Sequence, residues 1–414
     1  MKKTVSIIHY SSPPVIGGVE FVLAAQTRYL LSRNFQVKVI SGKGENFLPE
    51  MQFVCIPEIY SLHPKVIEVQ EALKKGKIET FQNLKDYLEK RLEEETGNSE
   101  IIIYHNCLSM PFNMALTSAC HSLIGNKKKN LVWIHDSPFF DPFYKSFLES
   151  IKLSQYPWNL LTSISPNVLY ITITEERKRE IMKTLGIPEE NIKVIPNGID
   201  MESFLSLSPE IVFLLKKIEL LSPDYIGLLP ARLIRRKNIE MGIRIIREMN
   251  NLEKKVILLI TAPSDPHQVD NEYRREIKDL ISNLKLEDKI LLLSEFTLPD
   301  GTPISLSFKN LKGLYAISDF LLLPSILEGF GIPILEAGIS RLPVFCSDLP
   351  TLREVGGRNV YYFAYNDTPQ KIAKRILETL ENISISRLFR KVKREFEWEK
   401  ILDSHLLPLL EREN

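Results

Sequence analysis

Short apolar runs of strand length alternate with longer stretches in which apolar residues recur at helical spacing, through almost the whole chain. That alternation is the pattern of strand–helix units feeding parallel sheets, so the expected fold class is α/β. TVSIIHY, from Thr4 to Tyr10, reads as a first strand. The loop SSPPVIGG, the helical stretch VEFVLAAQTRYLLSRN and a second strand at QVKVISG complete one βαβ unit. Further strands are expected at EIIIYHN, NLVWIHD, YITIT and IKVIPNG, and the charged segment Lys65 to Glu95 reads as solvated helices.

After Asp200, MESFLSLSPEIVFLLKKIELLSPD lacks a clear strand and reads as the interdomain connection. A second series then opens at YIGLLPARL and continues through KKVILLITA, KILLLSEF, FLLLPS, LPVFCSD and VYYFAYN, with helical patterns between them. The expected division is a Rossmann-like domain over residues 1–203 and a second over 204–394, with a last helical stretch at about 395–414. Two doubly wound sheets of similar size imply a cleft that a ligand could occupy.

Composition narrows the function classes. The chain has 414 residues, 44% of them apolar and 25% charged, an ordinary globular balance. With 53 Lys+Arg against 52 Asp+Glu the net charge is +1, which removes any global reason to bind nucleic acid. Four cysteines, Cys55, Cys107, Cys120 and Cys346, form no CxxC pair and read as reduced core thiols of a cytoplasmic protein. The amino terminus has too short an apolar run for a signal-peptide core. Ile101 to Asn126 carries no Asp, Glu, Lys or Arg, but its His105, Asn106, Pro111, Asn113 and His121 would be left unpaired in lipid.

The most informative stretch is FLLLPSILEGFGIPILEAGISRLPVFCSDLPTLRE, Phe320 to Glu354, which reads strand, loop, helix, strand. Gly329 and Gly331 flank Phe330, allowing close backbone approach, and Pro333 stands where a helix would begin. A helix amino terminus carries partial positive charge and suits a phosphate. Glu328 and Glu336 bracket this break, and both carboxylates could face one cleft; alone, either could be a surface acid or a simple complement to the helix dipole. ARLIRRKN, Ala231 to Asn238, gathers Arg232, Lys237 and two further arginines at a strand-to-helix turn, a candidate anion site or else a solvated face. Gly17 and Gly18 precede the first helix, as turn residues or as an approach for phosphate, without the GxGxxG of nicotinamide enzymes. His135 follows a strand and could be structural or functional. No DxD and no histidine cluster point to a metal, and GxSxG, P-loop and HExxH motifs are absent from the sequence.

On these residues the sequence resembles the GT-B fold glycosyltransferases, in particular the retaining family 4 enzymes that use nucleotide-activated sugars. Glu328 and Glu336 match an E-x7-E signature, Arg232 and Lys237 its cation pair, Gly17 and Gly18 its first loop, and IPNGID the segment before the crossover. The resemblance implies a donor held mainly by the second domain and an acceptor held mainly by the first. It implies that Arg232 and Lys237 neutralise the donor diphosphate, Glu336 binds the ribose, Glu328 contacts the transferred sugar and His135 lies near that sugar. Gly329, Phe330, Gly331, Ile332 and Asn197 are implied on the donor side, Gly17 and Gly18 on the acceptor and phosphate side, with no metal and no cofactor. It also implies that the final helix returns to the first domain. Two positions depart from the pattern: Asn238 stands where glycine is common, and Thr174 and Glu175 where serine usually precedes the glutamate.

The expected reaction is metal-independent transfer of a hexosyl group from a nucleotide-diphosphate sugar to a hydroxyl of a glycan, lipid or small metabolite. Cations and amides around the departing phosphate would stabilise its developing charge. Rivals are a GT-B epimerase or phosphorylase and a non-catalytic sugar-nucleotide sensor; a nicotinamide oxidoreductase lacks its motif. HNCLSMPFNMALTSAC, His105 to Cys120, is expected to line the acceptor pocket. The expected location is the cytoplasm, with peripheral attachment at the inner membrane face left open.

Overall fold

A computed structural model describes residues 2–124, 128–165, 167–219, 222–263, 271–304 and 307–411. The chain forms two compact units, Met1–Gly198 with Trp398–Asn414, and Ile199–Glu397. The second unit is closed on itself where the chain enters and leaves: Ile199 N–H donates to Phe396 O at 2.7 Å, and Ile199 bridges Glu397. The helix Met201–Phe204 therefore belongs to the second unit.

The first unit is built on β1 (Thr4–His9), β2 (Gln36–Ser41), β3 (Gln52–Cys55), β4 (Ile101–His105), β5 (Lys129–Ile134), β6 (Val168–Thr172) and β7 (Ile192–Val194). They form one sheet in the order β3-β2-β1-β4-β5-β6-β7, every pairing parallel. The second unit contributes β8 (Tyr225–Leu229), β9 (Val256–Ile260), β10 (Ile290–Leu292), β11 (Phe320–Leu323), β12 (Val344–Ser347) and β13 (Tyr361–Phe363). Their order is β10-β9-β8-β11-β12-β13, again all parallel. Each sheet runs outward from its first strand and then reverses, the doubly wound plan in which ligands bind at the carboxyl ends of the strands beside the reversal. Those reversal points lie between β1 and β4, and between β8 and β11.

Strands covered on both faces read as unbroken apolar runs. Every residue of β4, β8 and β9 is buried. The final stretch packs within the first unit, where Trp398, Ile401, Leu402, Leu406 and Leu410 share a core with Val22, Leu30 and Ile195. Arg33 fixes it by donating to both carboxylate oxygens of Asp403 at 2.6 Å. The last three residues of that stretch, like residues 220–221 of the expected connection, lie outside the described residues.

Three expectations need correction. The Lys65–Glu95 segment is not simply solvated: helices Pro64–Lys74 and Glu79–Thr96 bury Val66, Val69 and Leu73, and Phe81, Leu84, Leu88 and Leu92, at helical spacing. Their charges are only the outer face. QFVC, passed over as a strand, forms β3 because β2 offers it a free edge. Cys55, at its end, is exposed, whereas Cys107, Cys120 and Cys346 are buried thiols as expected.

A buried ion pair ties the helix Ser384–Glu395 to the second sheet. Lys393 Nζ lies 3.1 Å from Asp319 Oδ2, both side chains at 0% exposure, and the same oxygen accepts from Ile226 N–H at 2.8 Å. Removing one partner of such a pair leaves an uncompensated buried charge and costs about 3–5 kcal/mol. Lys393→Met should lose stability on that scale in urea unfolding, and Asp319→Leu combined with Lys393→Met should lose less than the single variant. Equal losses for the two proteins would show that the pairing does not govern this packing.

Candidate active site

In the second unit, the turns after β8 and β11 meet because those strands are neighbours in the sheet. Ile326 N–H donates to Arg236 O at 2.8 Å, joining the two turns backbone to backbone. Glu328, 8% exposed, is the centre of the cluster. Its Oε1 lies 2.6 Å from Lys237 Nζ and accepts from Ser325 Oγ at 2.6 Å; its Oε2 lies 3.6 Å from Arg236 Nη1. Arg236 also donates to Leu327 O at 3.3 Å, and Thr351 Oγ1 to Glu328 O at 3.2 Å. A carboxylate this buried is stable only with such partners.

The four cations of ARLIRRKN therefore separate by task. Lys237 and Arg236 flank Glu328, while Arg235 makes a paired contact with Glu276, 2.8 Å at each oxygen, over the Tyr273 ring. Arg232 is exposed just beyond β8. Arg236 was not singled out from sequence, since nothing in a charge run tells which side chain turns inward. Asn238 follows at φ 50 and ψ 51, a left-handed conformation that asparagine tolerates better than most residues; this accounts for the departure from glycine.

Beyond Glu328, Gly329 and Phe330 are exposed, and Gly331 caps the helix Ile332–Ile339 in a left-handed conformation, φ +97. A Cβ on Gly331 would lie 2.6 Å from Leu352 Cδ2, in the core. Ile332 is exposed and opens the helix, so Pro333 occupies its second position, not its first. The first amides of such a helix have no partner within it. Glu336 sits in the second turn, where its Oε2 accepts from Tyr315 O–H at 2.6 Å. Burial and that bond hold the Tyr315 phenol above its ordinary range. Gly331→Ala should cost about 1–3 kcal/mol from the left-handed backbone alone, read as a lower urea midpoint; an unchanged midpoint would mean that the turn can adopt another conformation.

In the first unit, β1 and β4 end in histidines and a third follows β5. His9 Nδ1 lies 2.8 Å from His105 O, and His105 Nδ1 lies 2.9 Å from His135 Nε2. Gln26 Oε1 meets His105 Nε2 at 3.0 Å. Asn106 Oδ1 accepts from His135 N–H at 2.9 Å. Burial foremost, then the charge of His9, pushes His135 down to about 3. His105 is likewise well below its ordinary value through burial and the neighbouring His135 and His9. Of these residues only His135 was singled out from sequence, although the recurrence of histidine at strand ends and a glutamine on the buried face of the first helix were legible signals.

Gly17 caps the helix Gly18–Ser32 with extended backbone, so neither glycine is required by a left-handed turn. A Cβ on Gly17 would instead collide with the carboxylate of Glu20, which accepts from Ser11 Oγ at 2.5 Å. Asn197 is exposed beyond β7. The His105 to Cys120 segment differs from expectation: Met114 to Cys120 are entirely buried, and only Met110 and Phe112 reach the crevice formed with Asp136, Phe140, Tyr144 and Arg177. Its uncharged character reflects core packing against the helix Glu79–Thr96. Among the described residues, no group of three or more His, Cys, Asp or Glu is arranged to hold a metal ion.

The fold and these clusters define a protein of two Rossmann-like units whose second unit carries a cation and carboxylate site at its sheet's reversal point. Residues 16–203 match the family described as Glycosyltransferase Family 4, and residues 214–395 that described as Glycosyl transferases group 1. The chain belongs to the group 1 glycosyltransferases of the GT-B class, and it is a glycosyltransferase enzyme. It is 26% identical over 291 residues to the O-antigen chain mannosyltransferase RfbU of Salmonella typhimurium strain LT2, covering 68% of this chain and 70% of that protein. It is 23% identical over 457 residues to the mannosylglucosylglycerate synthase of Thermotoga maritima, covering 98% and 100%. A solved glycosyltransferase from Rickettsia africae ESF-5 aligns over 100% of both chains at 19% identity with a TM-score of 0.37.

The neutral histidines make stability depend on pH. Below about pH 6.5 the unfolded chain protonates His135, while the folded chain holds it neutral down to about 3. The folded state therefore binds fewer protons, and stability is lost as pH falls through that window, by roughly 1.4 kcal/mol per pH unit. Between about pH 8 and 5 His135 accounts for a loss of about 2 kcal/mol. In denaturant titrations at those two pH values, His135→Asn should lose about 2 kcal/mol less than the unaltered protein; identical losses would contradict a neutral buried ring.

Proposed function

We propose that this chain is a retaining, metal-independent glycosyltransferase that moves a hexosyl group from a nucleotide-diphosphate sugar to a hydroxyl of a glycan, lipid or small metabolite. The observation that carries the reading is the Lys237–Glu328–Arg236 cluster beside the glycine turn and the start of the Ile332–Ile339 helix. With no donor bound, the charge of Lys237 is matched by Glu328. A diphosphate would draw Lys237 and Arg232 to its oxygens, with helix amides as further donors, and free Glu328 to accept from sugar hydroxyls. Glu336 is well suited to a pair of ribose hydroxyls, and Gly329, Phe330 and Ile332 complete the donor side of the second unit. His135 would contact a sugar hydroxyl, and the space over Gly18 would leave room for phosphate.

In the retaining course, the sugar–phosphate bond breaks with its electron pair moving to the diphosphate. The acceptor oxygen then bonds the same face of the sugar carbon, and its proton passes to a phosphate oxygen. Preorganised cations stabilise the charge on that phosphate as it grows. Because both curated relatives carry mannosyl in their names, a mannosyl donor is the first to test.

Removing one preorganised donor of this kind costs about 2.7–4 kcal/mol of barrier. Lys237→Ala should lower kcat for sugar transfer by about a hundredfold or more at a temperature where the variant is still folded, its unfolding midpoint falling because Glu328 loses its closest partner. Near-normal turnover would refute the assignment. A panel of UDP-, GDP- and ADP-sugars screened by thermal shift identifies the donor, since a ligand of the folded state raises its stability. NMR of the product anomer tests retention, and undiminished turnover in EDTA tests metal independence.

Peripheral attachment has its own support. Among the described residues no helix is long and apolar enough to cross a membrane. Yet Leu205, Phe308, Tyr315, Ile339 and Phe389 line an apolar groove that also holds Glu336, with Phe308 80% and Ile339 88% exposed. Lys309, Lys312, Arg341, Arg387 and Lys391 are exposed on the same segments. Apolar side chains with exposed cations on the same segments fit an anionic lipid surface. Flotation with anionic vesicles should carry the protein, and Phe308→Ser with Ile339→Ser should abolish it; binding equal to that on neutral vesicles, or a dimer through this face, would reject the reading.

A further inference from the structure

His135 is not simply buried; its ring is gripped from one side. An amide oxygen can only accept, so the 3.0 Å contact from Gln26 Oε1 places a proton on His105 Nε2. A neutral imidazole carries one N–H, which leaves His105 Nδ1 bare and able only to accept. It accepts from His135 Nε2–H at 2.9 Å, and the His135 proton is thereby fixed on the inner nitrogen. The outer nitrogen, His135 Nδ1, keeps its lone pair and has no hydrogen-bond partner among the described residues. Both rings stay neutral because burial disfavours the imidazolium. Orientation is fixed as firmly as protonation: the His135 and His105 rings meet edge to edge with centroids 5.2 Å apart and planes 23° apart, and the His135 ring lies within 17° of the Trp133 plane at 6.3 Å. Asn106 Oδ1 holds the backbone at the pivot by accepting from His135 N–H and, at 3.3 Å, from Asp136 N–H.

We propose that Gln26 and His105 are positioning residues that present His135 Nδ1 as a fixed hydrogen-bond acceptor for a sugar hydroxyl. The proposal rests on the reading of His135 as a sugar-facing residue. It adds that this nitrogen receives a hydroxyl hydrogen and never donates one, so a hexose with a hydroxyl at the facing position is bound, and a deoxy or O-methyl analogue at that position loses the bond. The direction of the chain depends on Gln26. Its Nε2 is buried without a partner, and turning the amide over would place a donor against His105, reverse both tautomers and make His135 Nδ1 a donor.

The decisive measurement reads the unaltered protein. Long-range nitrogen–proton NMR of the histidine-labelled full chain, with the His135 signals assigned by difference from His135→Asn, reads which ring nitrogen is protonated. The expected result is a protonated Nε2 and a bare Nδ1 on His135 in the absence of ligand. A protonated Nδ1 would overturn the proposal. Gln26→Met removes the acceptor at nearly constant volume; it should mix the two His135 tautomers and lower kcat about tenfold, the worth of one hydrogen bond, with the donor KM within twofold. An unmixed His135 tautomer in that variant would equally overturn it. The two readings fail separately: a bare Nδ1 in a protein that transfers no sugar rejects only the catalytic reading, and sugar transfer with a protonated Nδ1 rejects only this one.

Discussion

Parallel strand pairing is the constraint on which the rest depends. In each sheet the first strand sits between the second and the fourth, so two loops far apart in sequence leave the carboxyl edge side by side. In the second unit those loops carry Lys237 and Glu328, ninety-one positions apart and 2.6 Å from each other. In the first unit the same geometry aligns His9 and His105, and β5, the next strand out, adds His135. Close approach is built into the strands as well. Gly227 on β8 has no side chain where the Phe320 ring of β11 packs, and a Cβ there would lie 2.6 Å from that ring.

The two reversal points solve the problem of burial in opposite ways. Around Glu328 charge is admitted and balanced: one nearly buried carboxylate receives two cations and a hydroxyl. A balanced cluster of this kind can exchange partners with an anionic ligand without leaving any charge alone in a low-dielectric site. Around His105 the chemistry rests on two uncharged rings, those of His105 and His135. The rings remain neutral, and neutrality gives each nitrogen a definite role as donor or acceptor. In the proposed function the first of these would take the diphosphate and the second a hydroxyl.

Backbone conformation supports the cluster of the second unit. Gly331 and Asn238 each take a left-handed turn immediately before a helix, so that the helices Ile332–Ile339 and Ile239–Asn251 begin close to the ends of β11 and β8. In the first unit the carboxylate of Glu20 folds back over Gly17, and Ser11 holds it there. Side-chain bulk at position 17 is excluded by a neighbour on the same helix and not by backbone strain.

The sequence by itself determined the class of fold, the place of most strands and the glycine turn that opens a helix at EGFGIPILE. Those features are local: strand and helix periodicities, glycine in a turn and a proline near a helix start act over a few residues. The buried stripes of helices Pro64–Lys74 and Glu79–Thr96 were also written there, beneath a charge density that drew attention away from them. What only the tertiary structure decided was partnership. Which arginine beside Lys237 turns toward Glu328, why Tyr315 meets Glu336, and how Gln26 reaches His105 across seventy-nine positions all depend on strand order. Strand order is fixed by which apolar faces cover one another, a property of the whole packed unit, and no single segment carries it.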